Sequence, residues 1–234
     1  MLIIGCIVTC LVVVAVAAIL SALRASLYPS PTAMPAIVNA SMPTLLARLE
    51  SVLQERAPGV LSSLQPGLTD QAISALEAQG GLALTDELKA LYQWRNGSPI
   101  SARRDFIPVH KFLPLDHAIA QRAAIRSQRG ASFVQRVVFG AFAAHRTDWL
   151  TVFDDGSGDG YFFDPDRPTA GGSFFYCFAE DSTYLFFPSV RNFLAGIIEC
   201  FEKGAYHIKP DGSLDEDFNS SHTIWSKYAA APPR

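Results

Sequence analysis

The sequence has no Cys-x-x-Cys pair, no Gly-x-Ser-x-Gly elbow and no histidines at metal-ligand spacing, and each absence removes a class of chemistry. Its four cysteines fall as Cys6 and Cys10 near the start and Cys177 and Cys200 far down the chain, which signals neither a zinc site nor a disulfide framework. The two later cysteines are expected as buried free thiols. The five histidines, His110, His117, His145, His207 and His222, are scattered. His145 with Asp148 forms a local pair that lacks a nucleophile, so no catalytic residue, metal or cofactor is expected. No internal repeat occurs. No helix start follows the glycines near 156–160, which excludes a phosphate loop. The net charge is only −3, but it is uneven: residues 95–149 hold nine Lys/Arg against three acids, and residues 150–234 hold six against thirteen. The acidic half would repel nucleic acid, while the basic part, with Arg122, Arg126 and Arg129 near one helix face, could meet anionic lipid headgroups or simply satisfy the other half.

Charge is also missing from the first 23 residues, Met1 to Leu23. At ~1.5 Å per residue a helix of that length reaches ~35 Å, enough to cross a bilayer. A cleaved signal peptide would have a basic start and a shorter apolar stretch, so residues 1–23 are expected to be an uncleaved transmembrane anchor. Arg24 follows the span and places the remaining chain on the cytoplasmic side. Residues 24–42, rich in Pro, Ser and Ala, read as a linker, with Pro29, Pro31 and Pro35 favouring an extended spacer. Residues 43–234 are long enough for one domain, expected to have its core up to about residue 204 and a polar tail after it.

Within the domain, Leu45, Leu46, Leu49, Val52 and Leu53 share a helical face that Pro58-Gly59 interrupts. Thr69 caps a helix carrying Ile73 and Leu76 and ending at Gly80-Gly81; Thr85 caps the next, with Leu88 and Leu91 inward and Asn96-Gly97 at its close. Residues Phe106 to Leu113 read as a strand and Asp116 to Arg129 as a helix. From Val137 the pattern becomes short β-branched and aromatic runs between Gly/Asp/Pro turns: Val137 to Phe142, Trp149 to Phe153, Tyr161 to Phe163, Phe174 to Phe178 and Tyr184 to Phe187. Val190, Phe193, Leu194, Ile197, Ile198 and Phe201 then form one stripe of a strong helix. Helices, then consecutive strands, then a helix predict an α+β domain: N-terminal helices, an antiparallel β-meander and a C-terminal helix packed on the sheet, all preceded by the transmembrane helix.

The runs Pro66 to Glu77 and Gly81 to Tyr92, followed by Asn96-Gly97, resemble the N-terminal signature of the SUKH superfamily, which includes bacterial immunity proteins and yeast cell-wall assembly regulators. Its second signature, a tryptophan strand leading into an acidic glycine turn, resembles Trp149 to Gly160, and Ser189 to Leu194 fits the family's last helix. Many members have Leu-Pro where this chain has Leu84-Thr85. The resemblance implies a protein-binding scaffold without enzymatic activity, often one that neutralises a toxin. The alternative is a membrane-anchored regulatory or structural scaffold in envelope assembly. The expected partner-binding residues are Asp154, Asp155, Gly156 and Asp159 in the acidic turn, with Trp149 and Trp94 as aromatic anchors. Asp155, Ser157, Asp159, Gly160 and Asp166 match part of a calcium loop, but the flanking segments read as strands; a hairpin whose carboxylates hold turn amides is the expected structure.

Overall fold

In the computed structural model, which describes residues 35–102, 104–127, 149–165, 173–177 and 184–230, side-chain caps fix where most helices begin. Ser41 accepts a hydrogen bond from the Thr44 amide at 3.3 Å to open α1 (Met42–Arg56). Pro58, read from sequence as a break, is the first residue of a short α2 (Pro58–Ser63), where a missing N–H costs nothing. Thr69 accepts from Ala72 at 3.2 Å to open α3 (Asp70–Gly80), and Thr85 accepts from Leu88 at 3.4 Å to open α4 (Asp86–Trp94). Each cap satisfies an amide the helix itself leaves without a partner.

A two-residue β1 (Lys111–Phe112) leads into α5 (Leu115–Ser127). The meander follows as β2 (Leu150–Asp154), β3 (Gly160–Asp164), β4 (Ser173–Cys177) and β5 (Tyr184–Phe187), in the spatial order β1-β2-β3-β4-β5, with every neighbouring pair antiparallel. Strand alternation sends Tyr161, Phe163, Phe174 and Phe187 into the main core, and Phe162, Phe175, Cys177 and Phe186 to a second cluster that Trp149 joins. Cys177 and Cys200 are both buried, form no disulfide, and lie in different clusters. Burial pushes the Cys200 thiol up to about 12, which makes it inert.

The helix α6 (Val190–Glu202), capped by Ser189, lies against β4 and β5 on one side and α1 on another. Ten of its residues are buried, so this is a core helix rather than one lying on the surface. Phe193 is its centre: its ring lies 5.1 Å from that of Phe153, 4.7 Å from Tyr161 and Phe174, and 5.5 Å from Phe187 and Trp225. The α+β class, the antiparallel meander and the helix that follows β5 and packs on the sheet are thus as the sequence predicts, although that helix is not the last.

Three expectations are corrected. Of Phe106 to Leu113, only Lys111–Phe112 is strand; residues 107–110 form a tight turn in which the His110 amide donates to Ile107 O at 3.0 Å and the Phe106 amide donates to His110 O at 2.8 Å. Pro108, which has no amide to give a ladder, is the reason. The stretch after 204 is no polar tail. It forms a hairpin of β6 (Tyr206–Ile208) and β7 (Leu214–Glu216) and a helix α7 (Phe218–Trp225), and buries Ala205, Tyr206, Ile224, Trp225 and Tyr228 in the main core. Of its acidic residues, Asp215 lies opposite the exposed His207, whereas Glu216 lies opposite the buried Tyr206 and accepts from the Ser221 hydroxyl at 2.7 Å. Third, no helix among the described residues is long and apolar enough to cross a membrane, and residues 1–23 lie outside the described ones. The single-pass membrane location therefore does not carry forward. Val137 to Phe142 also lies outside the described residues, and the linker read over 24–42 ends in a 3-10 turn at Ala36–Asn39 whose Ile37 and Val38 pack on the core.

Trp225 leaves no room at Gly196. A Cβ at that position would stand 2.5 Å from the indole, whose ring stacks on Phe193 at 21° and whose Nε1 donates to Tyr206 Oη at 3.0 Å, so the ring cannot yield. Gly196→Ala should lower the unfolding free energy by ~1–3 kcal/mol, the usual cost of overpacking. In a Trp225→Leu background the same change should cost much less, as denaturant unfolding of the four proteins will measure; equal costs in both backgrounds would refute the steric account.

Candidate functional site

The acidic turn joins β2 to β3, and its backbone is fixed by its own carboxylates. Gly156 and Gly158 adopt φ of 81° and 110°, a conformation that side-chain-bearing residues rarely take. Asp154 Oδ1 accepts from the Gly156 amide at 3.1 Å, and Asp155 Oδ1 from the Ser157 and Gly158 amides at 2.8 and 3.0 Å. Asp155 Oδ2 accepts from the Ser157 hydroxyl. The Asp155 amide donates to Asp159 O at 3.2 Å, and Gln121 Nε2 on α5 donates to Asp154 Oδ2 at 3.3 Å. Burial alone would raise the Asp155 carboxyl, but the Ser157 hydroxyl and the Ser157 and Gly158 amides outweigh it and hold the group below the usual carboxylate range.

Lys111 pairs with Asp154 across the β1–β2 ladder, which sets the 99–110 loop beside this turn. His110 is buried, with Nδ1 2.8 Å from Pro108 O and its ring edge-on to Tyr161 and Tyr176 at 5.3 and 5.5 Å. Its Nε2 has no hydrogen-bond partner among the described residues. Val109, at the tip, has φ of 59° and is 66% exposed. A β-branched side chain in that conformation costs on the order of 1–3 kcal/mol. Asp105 is half-buried and makes no hydrogen bond to a described residue; burial pushes its carboxyl up, against the pull of Lys111 and His110.

The structure does not gather the six sequence-predicted residues into one patch. Asp154, Asp155, Gly156 and Asp159 share the turn. Trp149 stands at the other end of β2, about 16 Å of strand away, stacked flat on Phe175 at 4.9 Å and 5°. Trp94 ends α4, where its Nε1 donates to Glu50 at 2.8 Å and Arg95 lies over its ring at 5.3 Å, beside an open groove of about 690 Å³ between α1 and α2. Asp105, Val109 and His110 were not foreseen. The one signal for them was Pro108 in the middle of an apparent strand.

The other readings fare as follows. Asp166, the last position of the partial calcium loop, lies outside the described residues, and the described ones contain no group of three or more His, Cys, Asp or Glu suited to a metal ion. Arg122 faces inward, donating to Gly80 O at 3.0 Å, and so ties α5 to α3 instead of meeting lipid. Arg129, His145 and Asp148 lie outside the described residues.

A model of the SMI1/KNR4 family (SUKH-1) matches residues 67–196, from the turn before α3 to the middle of α6, a stretch that contains the acidic turn. No curated protein matches the chain.

Because the folded state holds Asp155 below its unfolded pKa of roughly 3.9, the ionised carboxylate contributes stability above that pH and loses it as pH falls through the lower folded value. Asp155→Asn should destabilise by on the order of 1 kcal/mol at neutral pH, kept small by solvent screening. The gap to the parent should close as pH drops below about 4. Urea unfolding at several pH values tests this, and a pH-independent gap would contradict it.

Proposed function

Since the chain belongs to the SMI1/KNR4 (SUKH-1) family, we propose that it works without catalysis, as a protein-binding domain of the immunity type that neutralises a cognate toxin. The observation that carries this reading is the rigidity of the acidic turn. Its backbone is held by Asp154 and Asp155 and braced by Gln121, so little conformational freedom remains to be lost when a partner arrives. Surface carboxylates on such a turn act on association rate and partner choice more than on raw affinity.

The remaining carboxylates reinforce the reading, because many are already spent on the fold. Glu87 accepts from the Arg191 amide and guanidinium, Glu199 from Lys227 and Tyr228, and Glu50 from Trp94 and Arg95. The acidic turn instead carries several partly exposed carboxylates close together on a backbone preset by hydrogen bonds.

The test is co-expression with the product of the adjacent gene. The chain should relieve the growth arrest that product causes and elute with it as one complex. Asp159→Asn, which leaves the Asp154 and Asp155 turn bonds in place, should slow association and flatten its salt dependence. Unrelieved arrest, with the two proteins eluting apart, would overturn the proposal.

A further inference from the structure

We draw no further inference here: the strongest candidate, the open groove between α1 and α2 lined by Gln54, Leu61, Leu64 and Pro66, carries nothing, because its two charged residues, Glu50 and Arg95, are already paired with each other at 2.7 Å and nothing in the structure shows what covers it.

Discussion

The fold depends on one constraint: Phe193 must be surrounded by aromatic rings on every side that the sheet and the terminal helix can supply. Phe153 on β2, Tyr161 on β3, Phe174 on β4 and Phe187 on β5 all lie within 5.5 Å of it, measured between ring centres, and Trp225 on α7 closes the remaining side. Rings of this size bury large apolar areas and prefer tilted or edge contacts, so five of them around a sixth leave few alternative arrangements. That explains why α6 carries Gly196 one turn beyond Phe193: the helix needs a bare backbone there for the indole to reach the cluster. It also explains why the strands keep strict alternation except at the bulge between Thr151 and Phe153, which brings Phe153 onto the Phe193 side.

The sheet end away from Trp149 is organised by polar economy instead. There the acidic residues divide between two tasks. Asp154 and Asp155 serve the backbone, taking hydrogen bonds that a glycine-rich turn would otherwise offer to water. Asp105 and the exposed Val109 do nothing comparable for the fold, and the loop that holds them tolerates both a strained backbone and a buried His110 with an unpartnered Nε2. Such costs persist where surrounding structure over-determines a conformation, and here the β1–β2 ladder and the Tyr161 and Tyr176 rings do so.

Much of this was legible in the sequence. Thr69 and Thr85 announce their helices because a hydroxyl before an apolar-periodic run is a local signal, and the meander is legible because its strands are short, aromatic and separated by turn residues. The turn itself was legible as a hairpin whose carboxylates hold amides. The rest was hidden for physical reasons. Trp225 lies among Asp215, Glu216, Asp217 and Lys227, so composition assigns it to a polar tail, while its burial depends on a long-range contact with Gly196 that no local pattern encodes. Trp94 and Trp149 look alike as candidate anchors, yet one hydrogen-bonds to α1 and the other stacks on the second face of the sheet. Val109 is invisible because valine in a left-handed conformation contradicts every propensity a sequence reader relies on.

Beyond α7 the chain returns to the sheet, and the Ala230 amide donates to Phe186 O at 2.8 Å. β5 is the outermost strand of the five, so this bond falls on an edge that would otherwise offer open backbone groups to any passing strand. During synthesis that edge stays open until residues past 225 have left the ribosome, well after the strands themselves can pair. The interval between pairing and closure is when a second nascent chain could add to β5, so the last residues of the chain guard the sheet against edge-to-edge addition.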